Sequence, residues 1–215
     1  MSKSLKTNNT DNSTKSDASK YDKKSQREHI LLRPGMYIGD VEPVTESMWI
    51  YKDEGVSKEN IKFSPGFFKI FDEILVNARD AHVNDPSCDT VKVEYNIDEG
   101  YISIHNNGDE GIPVEEHPVH KTVVPSMIFG ELLTSSNYDD NKERTTGGTN
   151  GLGSKVANIF STKFIVEIDD AKRKKRFRQV WENNMETVNP AEITKLPPKT
   201  KSSVKITFYP DFKRF

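Results

Sequence analysis

The sequence predicts an α/β domain, and three observations carry that reading. One long stretch places apolar residues at helical spacing, several later segments alternate like strands, and a glycine-rich run passes directly into a second helix. With 215 residues, 33% hydrophobic content and 11 phenylalanines, the chain can build one sizeable core, so one domain with short appendages is expected.

Residues 1–20 are Ser, Thr, Asn, Asp and Lys with almost no apolar side chain, so little burial offsets the entropy of ordering them. They read as a disordered tail. Formal net charge is -2, from 31 Lys+Arg against 33 Asp+Glu, and no global basic field argues that this segment wraps nucleic acid. The single cysteine, Cys88, excludes an internal disulfide and a thiolate metal cluster and suits a reducing compartment. No stretch approaches the roughly 20 apolar residues of a membrane helix, and no signal peptide opens the chain, so no membrane partner is expected and the chain reads as soluble and intracellular.

The first element is the helix, P-G-F-F-K-I-F-D-E-I-L-V-N-A-R-D-A-H at 65–82. Phe67, Phe71, Ile74, Leu75 and Ala78 make its apolar face. Glu73, Asn77 and Asp80 follow at i, i+4 and i+7 and line one flank. A carboxylate between the apolar face and the polar flank is placed for half-burial and a raised pKa, which suits a general base. The same spacing also describes an ordinary solvated face. Asn77 offers a neutral oxygen that can bind Mg2+ without neutralising it, leaving the ion free to bridge phosphates.

Next come T-V-K-V-E-Y and Y-I-S-I-H, joined by N-I-D-E-G, which read as a hairpin. The second strand ends in N-N-G-D-E-G-I-P-V at 106–114, where Asn106 or Asn107 stands at the sheet's rim to bond a base edge or a water, or simply makes an Asn-Gly turn. A short apolar helix within P-S-M-I-F-G-E-L-L precedes Ser135, Ser136 and Asn137, a cluster suited to ribose, phosphate or a helix-end cap. The charged run D-D-N-K-E-R then reads as a flexible connector of the kind a lid needs.

The glycine run T-T-G-G-T-N-G-L-G-S-K-V-A-N-I-F follows at 145–160, with four glycines in seven residues. It is not a P-loop, because Ser154 separates Gly153 from Lys155, and the dinucleotide spacing is also absent. The physics behind those motifs still applies: glycines admit an anion close to the backbone, the helix start presents unpaired N–H groups, and Lys155 adds a mobile positive charge. The alternative is a glycine loop capping an ordinary helix. Further on, K-F-I-V-E-I and R-F-R-Q-V-W are strand-like and enclose K-R-K-K-R at 172–176, which reads as a charged hairpin connection, a nuclear-import signal or a polyanion contact. Alternation at 204–208 gives a last strand, and a chain stopping so soon after it is expected to be part of something longer.

In this order, Y-D-K-K-S-Q-R-E-H-I-L-L-R-P-G-M-Y-I-G, K-I-F-D-E-I-L-V-N-A-R-D, N-N-G-D-E-G-I-P-V, L-L-T-S-S-N-Y-D-D and T-G-G-T-N-G-L-G-S-K-V-A-N-I-F-S resemble the ATPase region of eukaryotic-type, type IIA DNA topoisomerases over about residues 21–215. The resemblance implies a GHKL (Bergerat) ATPase sandwich, a mixed, mostly antiparallel sheet covered by helices with a glycine-rich ATP lid. It implies ATP and Mg2+ as cofactors, Glu73 as the residue activating water, and Asn77 as the metal ligand. Asn106 would contact adenine, while Ser135, Ser136 and Asn137 would hold sugar and phosphates. The lid, Gly148, Thr149, Asn150, Gly151, Leu152 and Gly153, would cradle the phosphate chain with Lys155, and Asp80 joins the same nucleotide site. Residues 21–40 would form a strap carrying Tyr21 to the other subunit's pocket, and 41–215 the ATP-binding domain, ending before a transducer domain.

The resemblance further implies a parent enzyme that is an ATP-hydrolysing DNA topoisomerase. It would close as a homodimer and pass one double-stranded DNA through another, in the nucleus of a eukaryote, or in the host nucleus or cytoplasmic factory of a large DNA virus. The segment alone would hydrolyse ATP weakly and would not cleave DNA. Other GHKL proteins, namely chaperones, mismatch-repair ATPases and histidine kinases, share the helix and lid, and an ATP-dependent dimerisation module without turnover is the further alternative. Two departures stand out: Asp109 and Glu110 lie between Gly108 and Gly111, one residue more than the family usually has, and Thr149 occupies a position where arginine is common.

Overall fold

The computed structural model describes residues 21–52, 55–134 and 151–215. Ser25 starts α1 (Gln26–Leu32) with a reciprocal cap: its hydroxyl accepts from the Glu28 N–H at 3.2 Å, and the Glu28 carboxylate accepts from the Ser25 N–H at 2.7 Å. A 3-10 turn at Pro34–Met36 follows. Ile30 and Ile38 are buried in the same core as residues beyond 40, so part of the 21–40 segment is built into the body of the domain.

β1 (Val44–Lys52) and β2 (Gly55–Phe63) pair antiparallel as a sheet of their own. The long helix α2 (Pro65–Asn84) begins with Ser64 accepting from the Phe67 N–H and with Pro65 in its first turn, where a missing N–H costs nothing. Its buried line is Gly66, Ile70, Ile74, Ala78 and Asp80, while Phe67, Phe71 and Leu75 pack only partly buried at its side. The apolar face is therefore rotated toward Ile70 relative to the sequence reading.

The main sheet comprises β3 (Val91–Asn96), β4 (Tyr101–Asn107), β5 (Ser161–Asp170), β6 (Lys175–Glu182), β7 (Thr187–Val188), β8 (Glu192–Lys195) and β9 (Ser203–Pro210). Its order is β3-β4-β9-β5-β6-β7 with β8 also on β6, and every pairing among the described residues is antiparallel. Two short helices, α3 (Val124–Gly130) and α4 (Gly153–Ile159), join α2 in packing on the sheet. The strand β5 shows the expected alternation, with Phe164, Val166 and Ile168 fully buried. Phe164 centres the core, its ring 6.2 Å from Trp181 and 6.4 Å from Phe208.

The basic run 172–176 spans the turn between β5 and β6 and the first two residues of β6. Its charges meet carboxylates: Lys172 to Glu110 at 2.6 Å, Arg173 to Glu115 at 2.7 Å and Arg176 to Asp169 at 2.6 Å. No helix among the described residues is long and apolar enough to cross a membrane.

Candidate functional site

A cavity of about 1020 Å3 opens beside α2, the loop after β4, α3 and the start of α4. Its walls bring together Glu73, Asn77, Asp80, Asn106, Gly151, Leu152, Gly153 and Lys155 from the sequence reading. Tyr21 is 87% exposed and not in this wall. Ser135, Ser136, Asn137, Gly148, Thr149 and Asn150 lie outside the described residues.

Glu73 projects from the α2 flank with its side chain 26% exposed, and one turn back the Lys69 ammonium lies 2.7 Å from its carboxylate. That hydrogen-bonded pair holds the Lys69 ammonium above the usual lysine range. Packed directly against the Glu73 carboxylate is Gly153. A Cβ on this glycine would stand 1.8 Å from the Glu73 Oε2, so the residue is glycine because the carboxylate occupies the space where a side chain would be. Gly151 has φ +60, a left-handed turn into α4 that favours glycine for its backbone instead.

Lys155 corrects the expectation of a mobile charge. It is 1% exposed, and its ammonium donates to the Thr134 carbonyl at 2.6 Å and to the Gly151 carbonyl. Burial, with carbonyl dipoles as its partners among the described residues, pushes its pKa down to about 8. The α4 helix is buried from Ser154 to Ile159, and Lys155 in its first turn lines the cavity.

The two asparagines at the end of β4 separate. Asn106 is buried and lines the cavity, donating to the Asn107 carbonyl at 3.1 Å, whereas Asn107 turns away, donating to Asp89 and accepting from the Thr90 N–H. After them Gly108 has φ +139 and passes so close to α2's end that an added Cβ would meet Asp85 Oδ2 at 2.8 Å. Asp85, Ser87 and Lys69 are residues the sequence reading missed. Only Lys69, four residues before Glu73 on one helix, carried a spacing signal.

No group of three His, Cys, Asp or Glu side chains that could hold a metal ion occurs among the described residues. A divalent cation here would depend on ligand oxygens supplied by a bound anion, together with the Asn77 carboxamide. This donor set of hard oxygens fits Mg2+ better than a softer metal.

Comparison with known proteins bears on this arrangement. Residues 64–207 match the model of the histidine kinase-, DNA gyrase B- and HSP90-like ATPase family. DNA topoisomerase 2 of Pisum sativum is 49% identical over 195 residues, and DNA topoisomerase 2-alpha of Homo sapiens is 50% identical over 196, each match covering 91% of this chain and 13% of the relative. The ATPase region of Saccharomyces cerevisiae topoisomerase II superposes with a TM-score of 0.88 at 48% identity, over 92% of this chain and 52% of that one. The chain thus spans about an eighth of the curated relatives' length and about half of that solved ATPase region. It belongs to the histidine kinase-, DNA gyrase B- and HSP90-like ATPase family, as a domain homologous to the ATP-binding and hydrolysing module of the type II DNA topoisomerases.

Proposed function

We propose that this domain binds ATP with Mg2+ in the cavity and hydrolyses it, with Glu73 as general base. The observation supporting this is the convergence of Glu73 and Asn77 from α2 with Gly153 and Lys155 from α4 on one cavity wall. Glu73 accepts the proton of a water aligned with the γ-phosphorus, and Gly153 leaves its carboxylate unobstructed. Lys155 and the backbone N–H groups at the start of α4 counter the charge of the phosphates. Asn77 would hold Mg2+, which would supply charge neutralisation for the phosphates when bound, and Asn106 would meet the base. Asp80, Leu152 and the lid residues Gly148 to Gly151, with Ser135, Ser136 and Asn137, complete the nucleotide site in this reading.

At the level of the parent protein the proposal is a homodimeric, nuclear type II DNA topoisomerase in which ATP closes the dimer around double-stranded DNA. The 21–40 strap would bring Tyr21 to the partner's pocket. Its support is the identity to the topoisomerase 2 relatives over 91% of this chain.

Calorimetric titration of residues 1–215 with a non-hydrolysable ATP analogue and Mg2+ tests the reading. Saturable one-to-one binding is expected; a folded sample that takes up no analogue overturns it.

The buried lysine gives the titration a pH signature. Above pH 8 the free Lys155 loses its proton, whereas phosphate oxygens beside it favour the ammonium, so binding must take a proton up. Affinity is expected to fall by up to about tenfold per pH unit above pH 8. Stability of the unliganded chain moves the opposite way. Between pH 8 and the ordinary lysine value of 10.5 the unfolded chain holds more protons, so this group makes folding more favourable as pH rises. Calorimetry at pH 7, 8 and 9 in buffers of different ionisation enthalpy checks the proton uptake.

A further inference from the structure

The loop after β4 contains two consecutive backbone N–H groups, at Asp109 and Glu110, that the sheet cannot pair. Both are satisfied from the end of α2. The Asp109 N–H donates to the Ser87 hydroxyl at 2.8 Å, and the Glu110 N–H donates to Asp85 Oδ2 at 2.7 Å. The same Ser87 hydroxyl donates to Asp85 Oδ1 at 2.7 Å, so one buried carboxylate and one hydroxyl hold the whole bend. The Glu110 N–H and then the Ser87 hydroxyl keep the Asp85 carboxyl below the usual carboxylate range. From the opposite side Lys172 pairs with Glu110, and farther along the loop Asp170 accepts from the Val114 N–H at 2.9 Å. A side chamber of about 110 Å3 lies under the bend, and Asn106, Glu110 and Gly111 line both it and the main cavity.

We propose that Asp85 and Ser87 are positioning residues for base recognition: they fix the Asp109-Glu110 bend, and through it the places of Asn106 and Gly111 in the cavity wall. This rests on the nucleotide reading given above. The bend adjoins the Asn106 end of the cavity and is remote in the chain from Glu73 and α4, so its anchors act on affinity and on base discrimination rather than on the hydrolytic step. Ser87 is exposed, which makes its substitution tolerable to the fold.

The experiment measures dissociation constants for non-hydrolysable ATP and GTP analogues, and turnover at saturating ATP, in wild type, Ser87→Ala, Ser87→Thr and Asp85→Asn. Ser87→Ala is expected to weaken the ATP analogue by about three- to tenfold, the worth of one hydrogen bond. It should also narrow the preference for adenine over guanine while turnover at saturation stays at the wild-type value. Ser87→Thr keeps the hydroxyl and is expected to restore both; Asp85→Asn, left with one acceptor oxygen, should exceed the Ser87→Ala loss. Unchanged affinity and base preference in Ser87→Ala, or equal losses in Ser87→Ala and Ser87→Thr, would overturn the proposal. Absence of analogue binding in wild type is a separate result, visible before any variant is compared, and removes the nucleotide reading itself.

Discussion

Glu73→Ala is expected to bind a non-hydrolysable ATP analogue at least as tightly as wild type while releasing phosphate roughly 100-fold more slowly. The direction of each effect follows from charge. The substitution removes the base, and it also removes a carboxylate that would repel the γ-phosphate and frees the Lys69 ammonium now tied to it at 2.7 Å. Glu73→Gln keeps the shape and should match the alanine variant in turnover. Steady-state phosphate release alongside calorimetry separates the two quantities; turnover equal to wild type would remove Glu73 from the chemistry, and lost binding would make its role structural.

The second large effect is expected from Gly153→Ala. The new methyl would overlap the Glu73 carboxylate, at 1.8 Å from Oε2 and 2.8 Å from Cδ, and would press at 3.3 Å on the Glu73 Cβ. The carboxylate can swing aside, but the Cβ belongs to the helix and cannot, so the start of α4 must move as well. Displacing a reacting group by about 1 Å costs on the order of a hundredfold in rate. Here kcat/KM is expected to fall by about that factor with a raised KM, because Lys155 travels with α4. Overpacking of this kind also destabilises by about 1–3 kcal/mol. The double variant Gly153→Ala/Glu73→Ala discriminates: the carboxylate is gone and only the 3.3 Å contact on Cβ stays, so its analogue affinity should recover in part, a non-additivity that independent sites would not show.

Much of this was legible in the sequence, and the reasons are local. The α2 helix, the β3–β4 hairpin and the strands β5, β6 and β9 each carry their own period, and glycines mark the entry to α4. The flank of Glu73, Asn77 and Asp80 was readable because helical spacing alone places residues side by side. The β1–β2 hairpin was not readable. Its outer side, Thr45, Ser47, Trp49 and Tyr51, mixes polar and aromatic residues, and its inner side, Val44, Met48 and Ile50, is interrupted by Glu46, so no clean alternation appears. Ile70 escaped because the phenylalanines beside it drew the apolar face toward themselves. The burial of Lys155 depends on Thr134, 21 residues away, and the roles of Asp85 and Ser87 on N–H groups 25 and 22 residues later. Such contacts exist only once the chain has folded.

The missed hairpin has an optical consequence. The chain holds two tryptophans, and they sit in the two different sheets: Trp181 is fully buried against Phe164, and Trp49 is 70% exposed on β1. An indole sealed among apolar rings emits at the blue edge of tryptophan fluorescence, and a hydrated one at the red edge. Dissolved iodide reaches the second and is excluded from the first. One unlabelled sample therefore carries an internal contrast: melting of the core moves the Trp181 emission from blue to red, while Trp49 on the hairpin emits at the red edge throughout.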